Sequence, residues 1–314
     1  MDIIIIGRKN NFGLSKDSEL LAGAIRREGF AGNIREASPR DRGVPDRLMR
    51  RRCADIAIHL ERFFPAWRSA ALKHILVPNQ ERFPRRHLGR LKKVDLVLAK
   101  SNCAAGLFRQ HGVATEYLGF TSDDRFNPSC DKNWMEVLHL AGANTLKGTE
   151  DLLTLWRRHP EWPRLNIVQK KSLASKSAPS NVNMITEFVP DAGLRKLQNQ
   201  SGIHLCPSRS EGWGHHIVEG MSTGALIVTV DAPPMNEHLD ASTGLLVPYA
   251  RSEPRHLGRC YFADLKKLES MIESALAMPV ADKVRYGRAA RRAYEQIDRE
   301  FRRRIRRFFV PGRE

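Results

Sequence analysis

The chain of 314 residues carries 52 Lys+Arg against 35 Asp+Glu, a net charge of +17 and a pI near 10.1, with 41 % apolar residues. That apolar share supports packed cores and excludes a disordered tail, and no apolar run approaches the ~20 residues of a spanning helix. The five cysteines (Cys53, Cys103, Cys130, Cys206, Cys260) are scattered without a CxxC pair, the usage of a reduced, cytosolic chain without disulfides or structural zinc.

The first seven residues lack the basic n-region and long apolar stretch of a signal peptide. Ile3–Ile6 is instead a short apolar run closed by Gly7, as expected of a strand buried on both faces. A loop with Gly13 leads into a helix over 15–27, with Leu20, Leu21, Ala24 and Ile25 on one side. Residues 39–52 form a Pro/Gly/Arg loop running into a basic helix start. Strands follow at 54–58, 75–77, 94–99 and 116–118. After Pro128 the alternation restarts, with strands at 137–141, 165–168, 182–185, 203–206 and 225–230. Helices at 149–159, 191–200 and 216–222 lie between them, and two more close the chain. Strand–helix alternation twice over predicts two parallel-sheet α/β units of the Rossmann type, divided near residues 127–133.

Charge is unevenly spread. Residues 1–130 hold 24 Lys+Arg and 14 Asp+Glu, residues 131–280 hold 16 of each, and residues 281–314 hold 12 and 5. The excess lies in the first segment and the tail, the electrostatic footprint of a polyanion partner.

The densest chemistry is the run from Cys206 to Glu219, a strand, a glycine-punctuated turn and a helix start. Gly212 and Gly214 permit a sharp turn and close approach of a ligand. The following helix aims its N–H groups into the same space, which favours phosphate. Glu211 and Glu219, seven residues apart, are placed to meet different hydroxyls of one nucleotide-sugar. His215 and His216 lie in the same turn, where one of them can donate to sugar or phosphate.

Five segments, in order and spacing, resemble the GT-B glycosyltransferases of the retaining Glu-x7-Glu group (glycosyl transferases group 1). They are Gly119 through Pro128, the Gly142-Ala-Asn-Thr-Leu-Lys147-Gly148 loop, Phe188-Val-Pro and Leu194 to Leu197 ahead of Ile203–Ser208, Asp231 through Glu237, and Thr243 through Pro248. The resemblance implies two Rossmann-like domains facing a cleft. Residues 1–129 would bind the acceptor and residues 130–280 the nucleotide-sugar. The basic helix of 281–314 would return to the N-terminal domain. It further implies that Lys147 meets the donor diphosphate, Glu211 the transferring sugar and Glu219 the ribose. Gly13 would approach the pyrophosphate, with Gly142, Gly212, Gly214 and His215 completing the donor site. The donor would be UDP- or GDP-linked, with no metal ion and no other cofactor.

Two departures stand out. Ala143 occupies the place of the family's arginine, leaving Arg209, Lys170 or Lys171 as the second cation. After the strand at 75–77, Asn79, Gln80 and Glu81 stand where the family often has a histidine, which makes Asn79 and Glu81 catalytic candidates or, equally, capping and turn residues. A catalytically dead, nucleic-acid-binding relative fits the loss at Ala143, and retention of Lys147, Glu211 and Glu219 argues against it.

The resemblance leaves the acceptor open. One expectation is DNA with a hydroxylated base, as in phage-type DNA glucosyltransferases, its phosphates tracked by Arg42, Arg50, Arg51, Arg52, Arg85 and Arg86. The other is an anionic membrane glycolipid or lipopolysaccharide precursor, docked through Phe63, Phe64 and Trp67 and the Phe308-Phe309 tail. The compact acceptor half and the size of the charge favour DNA.

Overall fold

A computed structural model describes residues 1–8, 13–175 and 177–310. The chain forms two compact units. The first is Met1–Thr121 with Pro254–Arg259 and Ile297–Glu314; the second is Ser122–Glu253 with Cys260–Gln296.

The first unit contains, in order, β1 (Ile3–Ile6), α1 (Gly13–Arg27), β2 (Ile34–Ala37), α2 (Val44–Leu48), β3 (Ile56–Glu61), β4 (Lys73–Pro78), β5 (Leu96–Ala99), α3 (Asn102–Gln110) and β6 (Thr115–Tyr117). Its parallel sheet runs β2-β1-β3-β4-β5-β6. The four isoleucines of β1 are buried because neighbours pair with it on both edges and side chains cover both faces. Leu20, Leu21, Ala24 and Ile25 of α1 are buried together, the stripe that the sequence predicts. Ser101 caps α3 by accepting from the Ala104 N–H at 3.1 Å.

The second unit contains β7 (Asn133–Gly142), α4 (Thr149–Arg158), β8 (Leu165–Gln169), β9 (Val182–Ile185), α5 (Asp191–Gln200), β10 (Ser201–Cys206), α6 (His215–Ser222), β11 (Leu226–Val230) and β12 (Leu245–Val247). A two-stranded ribbon, β13 (Tyr249–Arg255) and β14 (Gly258–Ala263), follows, then α7 (Leu265–Ala277) and the 30-residue α8 (Val280–Phe309). The parallel sheet runs β12-β11-β10-β7-β8-β9. Its core joins Val137, Leu152, Trp156, Leu165, Ile203 and Leu226. Strand order reverses between β7 and β10. In open parallel sheets, ligands bind outside the carboxyl ends of the strands at such a reversal.

The division falls at Thr121/Ser122 rather than at 127–133, because hydrogen bonds hold the intervening segment in the second unit. Arg125 donates its N–H to Ser222 Oγ (2.9 Å) and its Nε–H to Gln198 Oε1 (2.8 Å), and Asn127 N–H reaches Asn199 Oδ1 (2.9 Å). Residues 254–259 and the end of α8 are counted with the first unit, where Leu257 joins a core with Phe63, Phe83 and Phe108. There, Arg304 donates to the Leu118 carbonyl (2.7 Å) and Phe301 packs on Phe120.

Phe63, Phe64, Trp67 and Phe309 are buried in the first unit, so none of them is a lipid anchor. Arg42 does not join a phosphate track. It is 7 % exposed, and one guanidinium nitrogen donates to the Arg51 carbonyl (2.7 Å), Ser69 Oγ (2.9 Å) and the Asp46 carbonyl (3.3 Å). Arg50, Arg51, Arg52, Arg85 and Arg86 are exposed. Among the described residues no helix is long and apolar enough to cross a membrane.

Burial holds several histidines neutral, His59 and His204 pushed down to about 3 and His139 and His238 to about 4. His59 Nε2 faces His74 Nδ1 at 3.1 Å, and Phe64 N–H donates to His59 Nδ1 at 3.3 Å, so both nitrogens are satisfied in the neutral form. Below pH 6.5 the unfolded chain takes up protons at these histidines that the folded chain refuses. Stability therefore falls as pH drops from about 6.5 toward 4, each group contributing up to about 1.4 kcal/mol per pH unit. A thermal-melting series should show Tm highest above pH 7 and falling steadily below 6.5. A Tm unchanged from pH 7 to 5 would contradict this.

Candidate active site

The carboxyl ends of β7 and β10 carry the two loops that hold the predicted donor residues. After β7, Gly142 turns the chain at φ +56°, and Asn144 Oδ1 accepts from the Leu146 N–H at 3.0 Å. Lys147 follows, and Gly148 at φ +73° leads into α4. A Cβ on Gly148 would lie 2.3 Å from the Pro207 carbonyl oxygen, so only glycine lets the two loops approach this closely. The Arg209 N–H closes the approach by donating to the Leu146 carbonyl at 2.7 Å.

Across this contact Lys147 Nζ donates to Glu211 Oε1 at 2.6 Å and lies 3.1 Å from His216 Nδ1. His216 Nε2 lies 3.1 Å from Ser208 Oγ. Burial, with the adjacent Lys147 charge, holds the His216 imidazole well below its usual pKa. A neutral ring that accepts at Nδ1 carries its proton on Nε2 and donates it to Ser208. Glu211, Lys147, His216 and Ser208 thus form one chain of contacts that fixes the ammonium group. Behind it, His139 Nε2 lies 2.9 Å from Thr149 Oγ1 and His139 Nδ1 2.8 Å from the Leu205 carbonyl, tying the start of α4 to the sheet.

Gly214 adopts φ +96° as the N-cap of α6, turning the helix N-terminus toward the end of β10. His215, the first residue of α6, has Nδ1 2.8 Å from Ser122 Oγ, which also accepts from Trp213 Nε1–H at 3.3 Å. The ring beside Lys147 is therefore that of His216, one residue beyond the predicted His215. Glu219 is half-buried on α6 and accepts from Gln198 Nε2–H at 2.9 Å. Burial raises its carboxyl above the usual range.

Arg209 is committed elsewhere. Its Nη2 lies 3.1 Å from both Asp151 carboxylate oxygens, and the guanidinium sits 5.0 Å from the Phe262 ring. Lys171 is exposed and 3.6 Å from Glu187. Lys170 is exposed, and its backbone N–H donates to the Gly142 carbonyl at 2.8 Å, which sets it beside the Gly142–Ala143 turn.

Asn79 and Glu81 belong to the first unit, directly after β4, and both are buried. Asn79 Oδ1 has no hydrogen-bond partner among the described residues, and Glu81 lies 3.8 Å from Arg82 Nε. Gly13 opens α1, and its preceding loop and surroundings lie outside the described residues. Among the described residues no group of three or more His, Cys, Asp or Glu side chains is placed to hold a metal ion.

Residues 147–257, the segment holding Lys147, Glu211 and Glu219, match the family model described as Glycosyl transferases group 1. No curated protein matches the chain. Among solved structures, Anabaena HepE in complex with UDP-glucose is 14 % identical, with a TM-score of 0.69 covering 99 % of this chain and 98 % of that one. A glycosyltransferase from Rickettsia africae ESF-5 gives 14 % and 0.68, covering 99 % of each chain. An E. coli trehalose-6-phosphate protein bound with UDP-2-fluoro glucose gives 10 % and 0.68, covering 98 % of each. With a group 1 domain spanning the Lys147–Glu211 site, on two parallel six-stranded sheets that match GT-B structures, this chain is a glycosyltransferase.

Proposed function

We propose that the chain transfers a sugar from a UDP- or GDP-linked donor, with retention of anomeric configuration, to a hydroxyl on a polyanionic acceptor, in the manner of the Glu-x7-Glu group. The observation that carries the donor half is the Lys147 ammonium fixed between Glu211 and His216 beside the N-terminus of α6. Anionic phosphate is favoured at such a helix end, and a preorganised cation stabilises charge as it develops on the leaving group.

In the reaction the bond from the anomeric carbon to the diphosphate breaks and a bond to the acceptor oxygen forms on the same face. The acceptor proton passes to the departing phosphate, so no protein base is required. Lys147 and the α6 N–H groups neutralise the nucleoside diphosphate, and charge stabilisation needs no metal. Lys170, next to the Gly142–Ala143 turn, is the best-placed substitute for the missing arginine. Glu211 contacts the sugar and Glu219 the ribose. The first unit takes the acceptor, with Asn79 and Glu81 at the end of β4.

The exposed Arg50, Arg51, Arg52, Arg85 and Arg86 support a polyanion. A hydroxylated base in DNA and an anionic glycolipid both present phosphate to them. Labelled sugar nucleotides offered with hydroxymethylated duplex DNA and an anionic lipid extract, side by side, test the reading. Label on either acceptor, with release of nucleoside diphosphate, is the expected result; neither transfer nor donor hydrolysis would overturn it. Changing Arg50, Arg51 and Arg52 together to alanine should weaken acceptor binding and lower its salt slope by about three. Unchanged binding would move the polyanion to another surface.

A further inference from the structure

The β2–β3 connection of the first unit exposes apolar and cationic side chains together. Val44, Leu48 and Met49 are 60 %, 78 % and 54 % exposed, on α2 and the residue after it. Val44 and Leu48 are four residues apart and share one side of the helix. Arg40, Arg47, Arg50, Arg51 and Arg52, all exposed, surround them in sequence, against Asp41 and Asp46. Water is a poor environment for three adjacent apolar side chains, and no residue of α2 is buried to offset their exposure.

The connection is built rather than loose. The buried Arg42 guanidinium ties the Asp46 and Arg51 carbonyls to Ser69 beneath the segment. Trp67, itself buried, donates its Nε1–H to the Pro39 carbonyl at 3.2 Å. The Cys53 and Ala54 N–H groups both bond the Ala70 carbonyl. The chain between these ties is pinned at both ends and in the middle, which presents Val44, Leu48 and Met49 outward.

We infer that this α2 segment docks the enzyme on an anionic lipid surface, Val44, Leu48 and Met49 entering the headgroup boundary while the surrounding arginines meet lipid phosphates. Stable docking of a peripheral protein takes two signals, apolar insertion and a polybasic patch, and both occur within these few residues. A DNA duplex offers phosphates to the same arginines and little to three aliphatic side chains, so the combination selects lipid. The docking surface shares Arg50, Arg51 and Arg52 with the proposed acceptor face and rests on the polyanionic-acceptor reading, which it narrows to a membrane glycolipid.

Co-sedimentation with phosphatidylcholine vesicles, with and without phosphatidylglycerol, tests this on the full chain. The wild type should bind the phosphatidylglycerol vesicles and leave the neutral ones largely unoccupied. The Val44→Ser, Leu48→Ser, Met49→Ser variant should lose about tenfold in partitioning, with an unchanged circular-dichroism spectrum and Tm. Its binding to duplex DNA, measured in parallel, should match that of the wild type. Equal binding to both vesicle types, a serine variant that partitions like the wild type, or tight duplex binding with vesicles ignored would each overturn the proposal. Donor hydrolysis in lipid-free buffer, run separately, reports on the glycosyltransferase reading alone.

Discussion

Lys147→Ala should lower turnover by about 10²–10³-fold, the loss seen when one preorganised charge-stabilising group is removed. The ammonium lies 2.6 Å from Glu211 and 3.1 Å from His216, with both charged side chains nearly enclosed. The substitution also leaves the Glu211 carboxylate without its cation, which costs stability as well as activity. The two effects separate by assaying well below the lowered Tm and by titrating donor in a calorimeter. Lys147→Arg should restore the melting temperature more fully than turnover, because a planar guanidinium replaces the charge but not the point contact with His216. Near-wild-type turnover in the alanine variant would remove Lys147 from the donor site.

Gly148→Ala should disable the same site without touching a charged group. The residue sits at φ +73°, which costs an alanine about 1–2 kcal/mol. The larger effect is steric, since the new Cβ would meet the Pro207 carbonyl oxygen at 2.3 Å and its carbon at 3.1 Å. Both belong to backbone anchored by β10, so the loops must part and Lys147 must leave Glu211. A fall in Tm of several degrees and a rise of at least about tenfold in donor KM are expected. Gly142→Ala supplies the control: φ is +56° there, but a Cβ would meet nothing within 4 Å. If the two variants behave alike, backbone strain rather than collision governs the loop.

Much of the fold was legible because central parallel strands write themselves as unbroken apolar runs. Ile3–Ile6, in the interior of its sheet, is legible with its observed bounds for that reason, whereas Val182–Ile185 is an edge strand interrupted by Asn183 and owes its legibility to its β-branched ends. The edge strand β2 was not, since its Ile-Arg-Glu-Ala is polar at its two exposed middle positions. The β13–β14 ribbon was invisible for the same reason, its first strand reading Tyr-Ala-Arg-Ser-Glu-Pro-Arg and mostly exposed.

At the site, Glu211 stands out as a carboxylate in a glycine-punctuated strand-to-helix turn, and Lys147 through the resemblance of its Gly142–Gly148 loop to the family's donor loop. His216 was harder to tell from His215. Neighbouring helix residues point about 100° apart, so a one-residue difference in where α6 begins exchanges their surroundings. Arg42 and Arg50 cannot be distinguished in sequence either. The partners that bury Arg42 are backbone carbonyls and a serine hydroxyl, which leave no motif. The role of Asp151 in holding Arg209 depends on a contact across 58 positions, beyond any local pattern.

The division of the chain also sets an order of assembly at the ribosome. The first unit is not closed by its own N-terminal run: it needs Leu257 from the ribbon and Phe301 and Arg304 from α8. The last residue counted with the second unit is Gln296, ahead of those final contributions. During vectorial synthesis the later-encoded unit is therefore complete first, while Phe120 and the Leu118 carbonyl of the earlier one wait for the C-terminal residues to emerge. Once residue 296 has left the ribosome, the chain holds every residue of the second unit and an unsealed first unit, the species a chaperone would meet.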